Sequence, residues 1–265
     1  MAMIRVGIGG WVFAPWRGVF YPPGLAQSRE LAHASRRVTS IEINGTFYGA
    51  QKPASFRRWH DETPEDFVFS LKGPRYATHR RDLAEAGAAV DRFLGGGMLE
   101  LRQKLGPILW QFPPTTRFDE GGFAGFLERL PSEAGGRRIR HVVEAKHASF
   151  ADARFVALLR RHGVALAIVD GDGYPALHDL TADFVYARLR RTQASEPTGY
   201  PPAALDTWAG RFRQWSAGGE PAAAARVHPE SADPSNGRDC FVYFISGDKV
   251  RAPAAAEALL ERLAR

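Results

Sequence analysis

Polar residues recur at the closing positions of short apolar runs in this chain. Glu42 and Asn44 end one run, Lys72 the next, and Gln111 sits between Trp110 and Phe112. Glu144 and Lys146 follow Val142-Val143, Asp170 closes Ala165-Leu166-Ala167-Ile168-Val169, and Arg188 and Arg190 alternate with Ala187 and Leu189. Ionised groups taken out of water are costly unless paired, so their convergence would mark either a structural ion network or a site. As a site, its chemistry would be proton transfer by carboxylates beside neutralisation of negative charge by Lys and Arg. In that reading Glu144 is the general base or acid, assisted by Glu42 or His147. Lys72, Lys146 and Arg188 stabilise developing charge, Asp170 orients a cation, and Asn44 and Gln111 supply neutral hydrogen bonds. Arg75, His79 and Arg190 extend a cationic rim suited to phosphate or carboxylate. Trp11 and Tyr48 add flat rings able to stack on sugars or bases, although large aromatics also pack as core.

Eight strand-like runs must position these groups: residues 4–9, 38–44, 67–72, 107–112, 141–146, 165–170, 184–190 and 240–246. Helical patterns fall between them at 25–37, 54–60, 83–105 with a glycine break at 95–97, 122–130, 151–162 and 203–216, and a last helix at 253–264. Strand and helix alternating eight times over about this length predict an α/β chain folded as a single (β/α)8 TIM barrel, one domain over residues 1–265. A doubly wound sheet fits less well, because Gly7-Ile8-Gly9-Gly10-Trp11 lacks the third spaced glycine of a dinucleotide fingerprint. Residues 216–239 read as an irregular excursion. In such a barrel the site lies at the C-terminal strand ends, and period-two alternation turns Glu42, Ser70, Lys72, Glu144, Tyr186 and Arg188 toward the axis.

Composition adds bounds. With 35 Lys and Arg against 29 Asp and Glu, the net charge is +6, and 45% hydrophobic residues suffice for a sizeable core. This excludes disorder and collagen-like repetition. Only five of the basic residues are Lys, an Arg bias that base composition alone can produce. The one cysteine, Cys240, lies in an apolar run and is expected as a buried thiol. No N-terminal apolar stretch suggests a signal peptide or membrane span, so a cytoplasmic location is expected. No motif spacing specifies a metal; Glu42, Glu144, His147 and Asp170 are the set that could hold one ion.

Several runs together resemble a known family. Gly10-Trp11 with Phe20-Tyr21-Pro22, then Ile41-Glu42-Ile43-Asn44-Gly45-Thr46-Phe47-Tyr48, and Leu105 through Trp110-Gln111-Phe112-Pro113-Pro114 are similar to successive signatures of the YecE-like family, a domain of unknown function (DUF72). Phe69-Ser70-Leu71-Lys72 with Thr78-His79, and Phe241-Val242-Tyr243-Phe244 with Asp248, extend the resemblance over nearly the whole chain. It implies a TIM barrel, adds Asp248 to the candidate substrate-binding residues, and carries no established activity. Two positions depart from the family pattern: Lys146 stands where arginine is expected and Arg190 where histidine is expected. These changes remove a bidentate fork and a group that titrates near neutrality.

The combined expectation is an enzyme without an organic cofactor, acting on a phosphorylated sugar or nucleic-acid-derived anion at the C-terminal mouth. A single-stranded nucleic-acid-binding protein and a metal-assisted phosphoester hydrolase are the alternatives. Oligomeric state is not indicated. Glu144→Gln or Arg188→Ala is expected to abolish turnover while changing stability by no more than about 2 kcal/mol.

Overall fold

A computed structural model describes residues 2–175, 177–222, 225–230 and 237–265. Eight parallel strands close on themselves: β1 (Ile4–Gly9), β2 (Ser40–Ile43), β3 (Val68–Lys72), β4 (Leu105–Gln111), β5 (His141–Glu144), β6 (Ala165–Asp170), β7 (Phe184–Leu189) and β8 (Asp239–Phe244). Each strand pairs with its neighbours in sequence, and β8 returns to β1 with Tyr243 opposite Gly7. The chain is therefore an α/β TIM barrel.

Helices α1 (Glu30–Ala34), α2 (Gly45–Tyr48), α3 (Pro53–Glu62), α4 (Arg75–Thr78), α5 (Gly87–Leu94), α6 (Glu120–Leu127), α7 (Ala153–His162), α8 (Pro202–Ser216) and α9 (Ala252–Leu263) run between and after the strands. Local chemistry sets their limits. Pro53, Pro202 and Pro253 occupy first-turn positions, where a missing N–H costs nothing. Asp119 caps α6 by accepting from the Gly122 N–H at 2.7 Å, and Asp152 caps α7 through the Arg154 N–H at 2.8 Å. Asp119→Ala is expected to cost about 1 kcal/mol in urea unfolding, the worth of an N-cap; an unchanged midpoint would count against that bond.

The helix expected over 83–105 is broken into 3-10 turns (Leu83–Ala86 and Met98–Lys104) on either side of α5. Gly97 sets the second break, with φ +98° and room for no β-carbon, which would stand 2.6 Å from Pro53. The pattern at 25–37 yields only a 3-10 turn and the five-residue α1. A two-residue hairpin, Glu133–Ala134 with Arg137–Arg138, precedes β5 and escaped the sequence pattern. Of the excursion at 216–239, residues 223–224 and 231–236 lie outside the described residues.

Alternation divides the core in two. One set of strand residues, including Ile41, Ile43, Leu71, Trp110, Val143, Ile168, Ala187 and Val242, packs against the helices. The other, Leu109, Val142, Ala165, Ala167, Phe184, Tyr186, Phe241 and Tyr243, fills the barrel. Large and small interlock there: Gly7 and Gly9 on β1, with Ala165 and Ala167 on β6, leave room for the tyrosines of β7 and β8. Ser40 Oγ lies 2.7 Å from the Tyr243 hydroxyl, and Ser70 Oγ lies 2.9 Å from that of Tyr186. Since β3 and β7 are not neighbours in the wall, Ser70 and Tyr186 meet across the axis. β3 also carries a register shift against β4 between Phe69 and Leu71, where Pro107 has no N–H to give the ladder. Cys240 is buried, and burial pushes its thiol up to about 12, so it packs as a small apolar residue. No described helix is long and apolar enough to cross a membrane.

Candidate active site

Above the tyrosines, Arg188 binds two carboxylates at once. Its Nε donates to Glu42 Oε2 at 3.0 Å and its Nη2 to Glu42 Oε1 at 2.8 Å, a planar fork on a planar acceptor. Its Nη1 donates to Glu144 Oε2. Gln111 Nε2 donates to Glu144 Oε1 at 2.7 Å, and the Tyr186 hydroxyl donates to Glu42 Oε2 at 2.7 Å. Arg188 is 1% exposed and both carboxylates 0%. Strands β2, β4, β5 and β7 thus meet in one buried network.

This geometry fixes protonation. Burial alone pushes the Glu144 carboxyl up, but the charges of Arg188 and Lys146, with hydrogen bonds from Arg188 and Gln111, outweigh it and leave the group below its ordinary value. Glu144 is therefore ionised and fully bonded, which does not suit the general-acid part of the role expected for it. Arg188 loses to burial and gains more from Glu144 and Glu42, so its basicity rises.

The cations around this floor differ. Lys72 is 6% exposed, with Nζ 3.9 Å from the centre of the Phe47 ring. Burial first, and then the Arg188 charge, bring its amine down to about 8, with Glu42 and Glu144 opposing. Lys146, two residues beyond the end of β5, is lowered by burial and by Arg190 and Arg188 against the pull of Glu144. Arg190 and Lys146 both approach the Tyr174 ring, at 5.2 and 5.7 Å. Among the described residues none of Lys72, Lys146 and Arg190 has a carboxylate within salt-bridge distance.

Other expected residues stand apart. Asp170 is a correction. It falls on the helix-facing side of β6, like Leu166 and Ile168, where it accepts from the Tyr200 hydroxyl at 3.0 Å and faces Arg191 Nη1 at 3.4 Å. His147 holds its Nδ1 against Ser149, at 2.9 Å from Oγ and 3.0 Å from the N–H. Asp248 caps a 3-10 turn, accepting from the Val250 N–H at 3.0 Å. The four residues that could hold one ion do not converge on a common point: Glu42 and Glu144 face Arg188, while His147 Nδ1 and Asp170 meet Ser149 and Tyr200. No group of three or more His, Cys, Asp or Glu that could hold a metal occurs among the described residues. Arg75 and His79 lie exposed on and just after α4, and Tyr48 is 71% exposed.

Two openings lie at strand ends. One, about 310 Å³, includes Trp11 after β1, Asn44 after β2 and Lys249 after β8, and the other, about 1000 Å³, includes His79, Arg80, Arg81 and Arg117 after β3 and β4. Neither is lined by Arg188, Glu42, Glu144, Lys72, Lys146 or Arg190. Lys249 and Tyr174 are neighbours of the site that the strand pattern did not supply, since both lie in loops.

The family described as "Protein of unknown function DUF72" matches residues 5–265. The chain belongs to the DUF72 family. The resemblance carried by the glutamate, asparagine and tryptophan motifs is thereby accounted for. "UPF0759 protein YecE" of Escherichia coli (strain K12) is 30% identical over 149 residues, 56% of this chain. That match spans 50% of the relative's length. A solved DUF72 family protein from Thermotoga maritima superposes with a TM-score of 0.70 at 23% identity, over 97% of both chains. Another from Enterococcus faecalis gives 0.68 at 14% identity, over 100% of this chain and 99% of that one. At these identities the likeness to the solved structures is one of fold. Within this DUF72 chain, the buried floor and the uncompensated rim are separate layers: Arg188 is committed to Glu42 and Glu144, whereas Lys72, Lys146 and Arg190 are not.

Proposed function

We propose that this DUF72 protein is an enzyme that binds an anionic substrate, a phosphorylated sugar or nucleic-acid-derived compound, at the C-terminal mouth of the barrel. The observation that carries this reading is the set Lys72, Lys146 and Arg190, cations gathered at strand ends without carboxylate partners. Lys72 is buried and Lys146 and Arg190 are half-buried, so a phosphate or carboxylate arriving from solvent relieves a cost that is greatest at Lys72. In this arrangement Lys146 and Arg190 hold the anionic group, Lys72 neutralises or exchanges charge, and the Arg188 network keeps the floor fixed. Preorganised charge of this kind is a large term in catalysis.

Sulfate, whose charge is constant over the relevant range, serves as the probe. Lys146→Met and Arg190→Ala are each expected to weaken sulfate binding about tenfold in calorimetry, the loss of one charge-assisted contact. Affinity is expected to fall as the pH rises through about 8, because the Lys72 amine then loses its proton. Wild-type protein that binds no sulfate, or binds it equally in both variants, would sink the reading.

The exposed Tyr48 ring favours a second reading, a single-stranded nucleic-acid ligand stacked there and held along the basic opening beside β3 and β4. Its signature is oligonucleotide affinity that falls steeply with salt.

A further inference from the structure

The chain holds 35 basic residues, and only five are lysine. Their distribution is uneven. Lys52 is exposed at the start of α3. Lys104 is buried, with its amine donating to the carbonyls of His60 and Thr63 and to Thr63 Oγ1 at 3.2 Å, a three-acceptor socket that suits a compact ammonium. The other three, Lys72, Lys146 and Lys249, all lie at the C-terminal side of the barrel. In a chain that otherwise uses arginine for positive charge, the lysines at the mouth are the exception. Lysine can lose its proton and attack carbon; arginine cannot.

Among the three, Lys72 is the most enclosed, at 6% exposed, whereas Lys146 and Lys249 are half-buried. Its Nζ lies 3.9 Å from the centre of the Phe47 ring, as those of Lys146 and Lys249 lie near Tyr174 and Phe13. The β3 carbonyl beneath it is tied down by Thr46 Oγ1 at 2.7 Å, so the side chain rises from a fixed base. Lys146 and Arg188 add like charge nearby, the arrangement that activates an amine nucleophile.

We infer that Lys72 condenses with the aldehyde or ketone carbon of an anionic substrate to form an imine at the barrel mouth, with Lys146 and Arg190 holding the substrate's phosphate or carboxylate. The inference rests on the anion-binding reading above and specifies the substrate class. The neutral amine adds to the carbonyl carbon, forming the C–N bond while the carbonyl oxygen takes a proton. The resulting carbinolamine loses its hydroxyl, with a further proton, as one water. The product is a protonated imine, whose positive nitrogen can accept the electron pair of an adjacent bond. No change of oxidation state occurs. With its amine brought down to about 8 by burial and by the Arg188 charge, Lys72 holds a larger neutral fraction near that pH than an ordinary lysine does.

The test is reductive trapping. Wild-type protein at pH 8 is incubated with sodium cyanoborohydride and glycolaldehyde phosphate, glyoxylate or neutral glycolaldehyde, then digested and mapped by mass spectrometry. Hydride adds to the imine carbon and leaves a stable secondary amine, heavier by the probe less one water plus two hydrogens. Adduct at Lys72 forming about tenfold faster than at exposed Lys52 is the expected result. Lys72→Met should remove it, and the wild-type peptide map decides the matter if that variant folds poorly. Labelling led by Lys52, Lys146 or Lys249, or none at Lys72, overturns the inference. Sulfate binding without a Lys72 adduct overturns the imine alone. A Lys72 adduct formed as fast from neutral glycolaldehyde as from its phosphate overturns the anion-binding reading instead.

Discussion

Arg188→Ala is expected to lower the free energy of unfolding by about 3–5 kcal/mol, because it leaves two buried carboxylates without their shared counter-charge. Urea unfolding near neutral pH measures it. The change of about 2 kcal/mol or less expected from the sequence presumes a site open to water, where a lost charge is made good by solvent. A guanidinium 1% exposed, bonded to two carboxylates 0% exposed, has no such relief. Replacing Arg188, Glu42 and Glu144 together by Met, Gln and Gln should recover much of the loss, since no charge is then stranded.

The pH profile separates these variants further. In the wild type the Glu144 carboxyl sits below its ordinary value, so at acid pH the folded protein binds fewer protons than the unfolded chain. Its contribution to stability is present above the unfolded glutamate value of about 4.3 and is lost as the pH falls through the lowered folded value. Without Arg188 the sign reverses. Burial then favours protonated carboxyls, and Arg188→Ala should lose stability as the pH rises toward neutral. An Arg188→Ala variant within 1 kcal/mol of the wild type, with the wild-type acid limb intact, would remove the network from the account, on the scale of ordinary surface changes.

Gly7→Ala should be the most damaging single methyl in the barrel, costing at least the 1–3 kcal/mol typical of overpacking, and preventing soluble expression if the barrel cannot open to admit it. A β-carbon on Gly7 would stand 2.0 Å from the Ser40 carbonyl oxygen and 3.2 Å from the Tyr243 ring. The first is backbone of the adjacent strand, paired with Gly7 in the ladder, and cannot rotate away. Moving β2 would also shift Glu42, so the Arg188 fork would be disturbed from below. Thermal unfolding of Gly7→Ala beside Gly125→Ala, a glycine with open space around it, checks the point. Equal midpoints would mean that the β1 to β2 contact is looser than it stands here.

Much of the site was legible wherever a strand had one polar face. Glu42 between Ile41 and Ile43, Ser70 and Lys72 around Leu71, and Arg188 between Ala187 and Leu189 betray their direction by period two alone, and the coordinates place them accordingly. Strand β6 gave no such marker. Ala165, Leu166, Ala167, Ile168 and Val169 are apolar on both faces, so the parity of Asp170 was hidden, and it turned out to face the helices. Tyr174 and Lys249 lie in loops, whose course no periodicity dictates. The pairing of Arg188 with both glutamates at once was also beyond reach, since it depends on the meeting of three strands.

The paired tyrosines of β7 and β8, with their serines, have a bearing on traffic. Tyr186, Tyr243, Ser40 and Ser70 are all 0% exposed, so the axis is plugged beneath Arg188 and no tunnel runs through to the far end. On the anion-binding reading proposed above, a ligand held over the guanidinium would therefore enter and leave on the C-terminal side alone.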